Sequence, residues 1–306
     1  MYIVIAIFVL LYGSGYRMHL WPMRISRTGN MLITFIPKNA SVFLDTTLVE
    51  TSSPARIRAI FPGSHTIALQ RDGFLPYTRT VQIDPQQTTF LNDIFLIQNT
   101  TSTEITTFSG TKKSVPETLG VLNGHTVFVT SSPKLGTVVS IDTAVATHDL
   151  GVGSWRIMGG DKNFLVLART DKQEMQFRAW NTLNDVAFSV HGTTLVSNIF
   201  SGDTLFAVYS QNELWLVDSE KKSARIILRV SKPISQVLLV PETTLAIIMF
   251  QDEINMYELN DDRGIPFTLV HNQDILNMAL SADEHALEYT IDIGNGVQKN
   301  FRRLLY

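Results

Sequence analysis

The sequence predicts an all-β chain in which a hydrophobic N-terminal helix precedes a small β-sandwich and a five-bladed β-propeller. Three observations support this prediction: an apolar run at the N-terminus, short β-type runs separated by turns in the middle, and a repeat after residue 105. The repeat has a period of about 40 residues, and short strands recurring at such a period are typical of propeller blades. We therefore predict five regions: a membrane anchor over 1–16, a basic linker over 17–30, a β domain over 31–97, a linker over 98–104 and a propeller over 105–306.

The composition excludes several classes of function. The chain of 306 residues has a formal net charge of −3, which does not provide the basic surface that neutralises nucleic acid phosphates, so we expect no nucleic acid partner. It contains no cysteine, which excludes disulfides, thiolate metal sites and cysteine nucleophiles. Charged residues make up 17% and apolar residues 44%, an apolar balance that fits an unusually buried or lipid-facing segment.

The N-terminal run is uncharged from Tyr2 to Tyr16, which is short for a membrane span of about 20 residues. It could be a short transmembrane anchor, the core of a signal peptide, or a buried strand. Because no basic residue precedes it, a signal peptide is disfavoured and we expect a single-pass anchor. Arg17, Arg24 and Arg27 follow the run, and the positive-inside rule would place that flank in the cytoplasm.

The region 31–97 has the pattern of a compact β module of five or six strands. β-type runs at 41–44, 65–69 and 78–83 are separated by turn-forming pairs. These pairs are Asp45-Thr46, Ser53-Pro54, Pro62-Gly63 and Asp72-Gly73.

The order of these features resembles the PEGA domain. An acidic turn is followed by Ser53-Pro54-Ala55, then by Pro-Gly before HTIALQRDGF, and then by an aromatic residue and TRTVQI. Thr46 and Ser52 stand where the family has glycines. The resemblance implies a non-catalytic module of surface and membrane-anchored proteins, and it favours an extracytoplasmic location for most of the chain.

The repeat is clearest in FLVLART at 164, TLFAVYS at 204 and TLAIIMF at 244, which recur at equal spacing. In the third copy we predict four strands, at 193–200, 204–210, 213–219 and 224–230. The third strand ends in an apolar-Asx step in four copies, and the Asx side chain can bond to the backbone of the following turn. The step resembles the Trp-Asp step of WD40 blades, and VPETTLAIIMF at 240 resembles an opening of TolB-like propeller repeats.

The last copy ends at the chain terminus without a fourth strand. We expect the segment 105–109 (ITTFS), which precedes the first copy, to supply that strand. A ring closed by its two ends leaves no exposed sheet edge. The available residues then suffice for five blades.

We predict no catalytic, metal-binding or cofactor-binding residues. The seven histidines lack metal-ligand spacing, although His191 and His271 occupy equivalent repeat positions. The acidic doublets, such as Asp252-Glu253, are typical of hairpin tips, and no serine lies in a nucleophile elbow.

These observations favour a non-enzymatic, membrane-anchored surface protein with the PEGA-like module as a stalk. We expect its propeller to bind a protein or a cell-envelope polymer through loops at one end of the blades. The loops are 170–174, 191–194, 211–213 and 231–233. Two alternatives are a propeller-class hydrolase or lyase acting on cell-wall polysaccharide, which requires converging carboxylates on one face, and a cytoplasm-facing membrane-tethered sensor.

Overall fold

The structure is a computed structural model, and the chain divides into two compact units, Met1–Ser102 with Arg303–Tyr306, and Thr103–Arg302. The part of the chain that it describes consists of residues 2, 10, 12–13, 16–20, 23–109, 121–122, 125–132, 136–141, 146–150, 153–160, 164–179, 186–192, 194–196, 205–218, 220–241, 243–259, 266–271, 273–282 and 285–305.

The predicted N-terminal helix lies mostly outside the described residues. Only residues 2, 10, 12 and 13 of the run before Tyr16 are described, and their backbone is helical. Within the described part of the chain, no helix has the length and apolar character needed to cross a bilayer.

The stretch 17–30, predicted as a linker, instead contains a hairpin and the start of a sheet. Strands β1 (Tyr16–Leu20) and β2 (Met23–Arg27) pair antiparallel in register. The Arg27 guanidinium donates to the Tyr16 hydroxyl (2.6 Å) and to Oε1 of Gln86 (2.6 Å). Arg27 is therefore bound within the first unit and is not part of an unstructured basic linker.

The rest of the first unit is a two-sheet β-sandwich of seven strands, in agreement with the predicted small sandwich but with more strands than expected. One sheet has the order β6-β3-β9, with β3 and β9 parallel, and the other has the order β5-β4-β7-β8. The strands are β3 (Gly29–Ile36), β4 (Ser41–Leu44), β5 (Thr47–Glu50), β6 (Ala55–Ile60), β7 (Gly63–Gln70), β8 (Tyr77–Ile83) and β9 (Thr88–Phe95).

Alternation of apolar and polar side chains explains why these strands form a sandwich. In β3 the side chains of Met31, Ile33 and Phe35 are buried, whereas the residues between them are partly or fully exposed. Successive side chains of a strand point to opposite faces, so this period of two gives each sheet one apolar face. The two apolar faces together form one core, to which Ile67 and Leu69 of β7 also contribute.

The second unit contains β-sheets in the order that the repeat predicts. The described residues of this unit form five four-stranded sheets, and in four of them the strands follow one another along the chain. Those four sheets comprise β11 (Val121–Leu122), β12 (His125–Ser132), β13 (Gly136–Ile141) and β14 (Ala146–Asp149); β15 (Trp155–Gly160), β16 (Phe164–Arg169), β17 (Glu174–Ala179) and β18 (Phe188–His191); β19 (Thr194–Val196), β20 (Leu205–Tyr209), β21 (Glu213–Asp218) and β22 (Ser223–Arg229); and β23 (Gln236–Leu239), β24 (Leu245–Met249), β25 (Glu253–Glu258) and β26 (Phe267–His271).

The last sheet takes one strand from the beginning of the unit. Its order is β27-β28-β29-β10, where β27 is Asp274–Leu280, β28 is Ala286–Asp292, β29 is Gln298–Leu304 and β10 is Thr103–Ile105. Strand β10 thus completes the last sheet, as the sequence predicts. It occupies 103–105, whereas the predicted strand was 105–109, so it begins within the predicted linker. The segment after it is attached to the same sheet, because Ser109 donates through its backbone N (2.7 Å) and its hydroxyl (2.6 Å) to the buried carboxylate of Glu288.

Consecutive sheets of the second unit pack face to face. The second strands β16 and β24 are buried at nearly every position, which requires apolar neighbours on both faces of the sheet. Phe164 and Phe177 of one sheet share a core with Phe206 of the next, and the Phe177 ring stacks on Phe188 at 4.6 Å. Burial of each such side chain contributes about 1.5–3 kcal/mol to the hydrophobic stabilisation of the unit.

Candidate functional site

The sheets of the second unit present one set of loops at a common end, which we call the loop face. It comprises the turns between second and third strands, at 170–173, 210–212, 250–252 and 293–297, and the described parts of the connections that lead from one sheet to the next. The four loops predicted from the sequence, at 170–174, 191–194, 211–213 and 231–233, all belong to this face, except that Thr193 lies outside the described residues.

Backbone hydrogen bonds hold the connections of the loop face against the turns. In three successive repeats, the turn between the second and third strands accepts a hydrogen bond through one of its backbone carbonyls. The donor is a backbone N–H of the chain that follows the fourth strand. These bonds join Gly192 to Gln173 (2.8 Å), Ile234 to Gln211 (2.6 Å) and Ile275 to Gln251 (2.9 Å). Because backbone groups on both sides are satisfied, the face is a fixed platform for the side chains that it carries.

A glutamate begins the third strand of three successive sheets and faces a basic or imidazole side chain across the strand pair. The in-register pairs are Glu174 with His191, Glu213 with Arg229, and Glu253 with His271. Directly opposite residues lie on the same face of a sheet, so each pair brings a carboxylate to a cationic or titratable group. The loop face thus carries a repeated polar pattern that is independent of the apolar repeat.

Glu213 is the most highly connected of these carboxylates. Its oxygens accept hydrogen bonds from Nε of Arg229 (2.9 Å) and Nε1 of Trp215 (3.1 Å), and Nδ1 of His191 lies 3.6 Å away. Desolvation raises the pKa of Glu213, but the bonds from Trp215 and Arg229 outweigh it and lower the pKa overall. The carboxylate is therefore held ionised.

Lys232 forms a second cluster, between the third and fourth sheets. Its ammonium donates to both oxygens of Asp252 (2.7 and 3.0 Å) and to Oε1 of Glu253 (3.3 Å), while Nδ1 of His271 lies 3.5 Å from the other oxygen of Glu253. The hydrogen bond from Lys232 lowers the pKa of Asp252, and the same bond raises the pKa of Lys232. Both groups are consequently charged at neutral pH.

A groove of about 530 Å³ opens beside this cluster. Its walls come from the connection into the fourth sheet, from the turn at 250–252, and from the connection into the fifth sheet. It is lined by Lys232, Pro233, Ser235, Gln251, Asp252, Gln273 and Asp274. The size and the mixture of charged, amide and hydroxyl groups suit polar recognition of a side chain or a small group.

A third cluster lies at the start of the second sheet. The guanidinium carbons of Arg169 and Arg178 lie 5.3 and 5.7 Å from the Trp155 ring, and Arg169 also contacts Asp171 at 3.1 Å. Inside the sheet, Arg178 donates to Oε1 of Gln176 (2.8 Å). The indole of Trp155 therefore packs against two guanidinium groups.

Among the described residues, no three His, Asp or Glu side chains are grouped so that they could hold a metal ion. The sequence placed His191 and His271 at equivalent positions, and the structure shows each next to a glutamate carboxylate.

Sequence reasoning missed the groove and most of its lining residues. Two of its loops could have been predicted from the repeat. The loops 251–253 and 271–273 lie one repeat after the predicted loops 211–213 and 231–233. The in-register glutamate pattern was also visible, since Glu213 and Glu253 are separated by that same interval. What the sequence does not contain is the contact between loops of different repeats, which depends on how neighbouring sheets are packed.

Several solved structures are similar to this chain at low identity. Kluyveromyces lactis Hsv2 is 11% identical, with a TM-score of 0.40, over 86% of this chain and 71% of that protein. The C-terminal WD40 domain of Sif2 is 12% identical, with a TM-score of 0.40, over 78% and 66% of the two chains. Dihydro-heme d1 dehydrogenase NirN, in complex with DHE, is 14% identical, with a TM-score of 0.42, over 67% and 48%. The match thus spans about half of the NirN chain.

No curated protein sequence matches the chain. The first unit, in contrast, has a clear family relationship that agrees with the resemblance found in its turns and strands. Residues 28–95 match the PEGA domain family, so the β-sandwich of this chain is a PEGA domain.

Proposed function

We propose that this protein is a non-enzymatic binding scaffold in which a five-bladed propeller presents the loop face to a protein partner. The observation that carries the proposal is the groove beside Lys232, which lies on a face fixed by backbone hydrogen bonds and lined by charged and amide side chains. A rigid sheet scaffold that positions polar loops at one end is suited to recognition.

We further propose that residues 1–16 tether the chain to a membrane and that the bulk of it is extracytoplasmic, with the PEGA domain as a spacer. The side chains of Tyr2, Leu10 and Tyr12 are 84%, 70% and 66% exposed, and exposed apolar groups of this kind support a lipid-facing role. The PEGA match at residues 28–95 supports the same location.

A polysaccharide hydrolase or lyase is the second candidate, because Asp252 and Asp274 both line the groove. Acid catalysis of glycosidic cleavage needs one carboxyl group with a raised pKa, whereas the hydrogen bond from Lys232 lowers the pKa of Asp252. The Asp252 carboxylate is therefore better suited to ionic recognition than to proton donation. Incubation of the purified chain with cell-wall polysaccharide should release no reducing ends. Release of reducing ends that is abolished by Asp252→Asn would instead support the hydrolase or lyase.

Site-specific photo-crosslinking in cells tests the binding proposal. A photoreactive residue in place of Gln273, in the groove, should form adducts with one protein of defined mass. The matched control carries the same residue in place of Lys221, whose side chain is 80% exposed in the turn at the opposite end of the third sheet. Adducts that are absent at position 273, or equal at both positions, would refute a binding role for the loop face.

A reporter fused after Tyr306 tests the location. We expect activity of a reporter that functions only outside the cytoplasm. Activity of a cytoplasm-only reporter would instead support the cytoplasm-facing sensor, which Arg17, Arg24 and Arg27 favour through the positive-inside rule.

A further inference from the structure

We propose that the hairpin of β1 and β2 lies on an anionic lipid membrane, with one of its two faces in contact with the lipid. This inference rests on the proposed membrane tether at residues 1–16 and adds a second contact with the same membrane. Three observations carry it: the register of the hairpin, the charge of the N-terminal region, and the bonds that hold the hairpin between the helical run and the PEGA domain.

The register of the hairpin separates apolar residues from basic ones. Successive residues of a strand lie on opposite faces, and residues paired across an antiparallel sheet share a face. The apolar face comprises the pairs Met18–Ile25 and Leu20–Met23 and ends at Tyr16–Arg27, and the basic face comprises the pairs Arg17–Ser26 and His19–Arg24. The same division into an apolar and a basic face is typical of amphipathic helices that lie in the membrane interface.

The hairpin needs a surface for its apolar face. Among the described residues, no third strand pairs with β1 or β2. An isolated two-stranded hairpin is at best marginally stable in water, so it depends on packing against another surface. Lipid can provide that surface, because the helical run that ends just before β1 exposes Leu10 and Tyr12 at 70% and 66%.

The charge of the N-terminal region matches an anionic membrane. The chain has 28 acidic residues, and the first of them is Asp45. Four basic residues precede it, namely Arg17, Arg24, Arg27 and Lys38. Anionic lipid headgroups attract basic residues that lie next to a membrane-bound segment, whereas a neutral bilayer would leave this one-sided charge without a counterpart.

Two arginines hold the hairpin between the helical run and the PEGA domain. The Arg17 guanidinium donates to the carbonyl oxygen of Tyr12 (3.1 Å) and lies 3.6 Å from the centre of the Tyr12 ring. The Arg27 guanidinium lies 4.9 Å from the Tyr16 ring and donates to Gln86 of the PEGA domain. With the helical run in the bilayer, these contacts place the hairpin at the membrane surface, where tyrosine and arginine side chains are favoured.

Single-cysteine labelling of the full chain in vesicles tests this contact, because the chain has no cysteine of its own. A fluorophore is attached to Ile25→Cys, on the apolar face, or to Ser26→Cys, its neighbour on the basic face. The vesicles contain phosphatidylcholine with or without phosphatidylglycerol, and lipids with brominated acyl chains quench a label that touches them. We expect stronger quenching at residue 25 than at residue 26, and stronger quenching at residue 25 when phosphatidylglycerol is present.

The contribution of charge is tested by a matched pair of arginine substitutions. Arg24→Gln should lower the equilibrium constant for docking of the hairpin about fivefold, because it removes one cation from the membrane surface. Arg56→Gln removes an exposed arginine from β6 and should leave the quenching unchanged. Equal quenching at residues 25 and 26, or quenching that does not depend on phosphatidylglycerol, would overturn the inference.

A label at Leu10→Cys separates this inference from the proposed tether. Quenching at residue 10 without quenching at residue 25 would overturn the hairpin contact and leave the tether intact. Absence of quenching at residue 10 would refute the tether, and the inference would fall with it. The crosslink expected at residue 273 is independent of both results.

Discussion

Asp45 and His65 illustrate how single residues hold the PEGA domain turns in place. Oδ1 of Asp45 accepts the backbone N–H of Thr66 (2.8 Å), and its other oxygen contacts Nδ1 of His65 (2.5 Å). Nε2 of His65 lies 2.7 Å from the carbonyl oxygen of Phe61. Both ring nitrogens thus lie within hydrogen-bonding distance of an oxygen atom. The acidic turn residue that marked the family in the sequence is therefore a connection between strands.

The first prediction concerns Asp45. Partial burial raises its pKa, but the bonds from Thr66 and His65 outweigh it, so that the pKa lies below the ordinary value of 3.8. A lowered folded-state pKa stabilises the fold at pH values above the ordinary pKa, and the stabilisation is lost as the pH falls through the folded pKa. Asp45→Asn should cost about 1 kcal/mol at pH 7 and progressively less below about pH 4, as measured by urea unfolding. A cost that is unchanged at low pH would contradict this role.

The second prediction concerns Thr46. The turn between β4 and β5 has two residues with positive φ, Asp45 at 48° and Thr46 at 84°. A β-branched residue is strained in this region, whereas glycine is not, and the family pattern has glycine at this position. Thr46→Gly should therefore raise the free energy of unfolding by about 1 kcal/mol. Thr47→Gly, one residue later in β5, is the control and should lower it; stabilisation by both substitutions would refute the explanation.

At the scale of elements, the connections between sheets impose the tightest constraints in the second unit. Gly192 follows β18 at φ +140°, and a Cβ built there would lie 2.9 Å from the carbonyl oxygen of Tyr209 in the next sheet. A backbone atom cannot move aside as a flexible side chain can. This glycine is thus required by the close approach of two sheets.

The third prediction tests this constraint with a matched pair. Gly63 has nearly the same φ, +139°, but a Cβ there would meet nothing within 4 Å. Both Gly192→Ala and Gly63→Ala should lose about 1 kcal/mol through backbone strain, and Gly192→Ala should lose roughly 1–3 kcal/mol more through overpacking. Denaturant unfolding of both variants measures the difference. Equal losses would show that the contact with Tyr209 is not limiting.

The Asx turns are an example of a structural feature that a local sequence pattern predicts. Of the four apolar-Asx steps, only Val217-Asp218 falls on described residues, and Oδ1 of Asp218 accepts the backbone N–H of Lys221 (3.0 Å), as the sequence predicts. The third copy likewise has strands at Leu205–Tyr209, Glu213–Asp218 and Ser223–Arg229, within one residue of the predicted bounds. These features are local, and so a single sequence contains the information.

Features that depend on distant contacts could not be predicted in the same way. The hairpin β1–β2 lies in a segment whose arginines suggested a basic linker, yet Arg27 bonds to Gln86, which is far from it in the sequence. The strand that completes the last sheet is shifted towards Thr103, because its register is set by pairing with β29 at the other end of the unit. The groove depends on three separate repeats. In each case the deciding partner is far along the chain.

At the scale of the whole molecule, the beginning and the end of the second unit meet in one sheet. The pairing of β10 with β29 joins the first strand of the unit to its last sheet. Without that pairing, the last sheet would have only three strands, and β29 would be its edge strand. The architecture of the last sheet therefore depends on the pairing of the two ends of the unit.

Disulfide formation is a direct test of this pairing, since the chain has no cysteine of its own. Thr103 and Arg302 are in-register partners, so Thr103→Cys with Arg302→Cys should form a disulfide on mild oxidation of the folded protein and raise its denaturant midpoint. Thr103→Cys with Gln298→Cys, which is displaced by about 13 Å along β29, should form none. Failure of the first pair to form a disulfide in the folded state, or equal formation by both pairs, would contradict the pairing of β10 with β29.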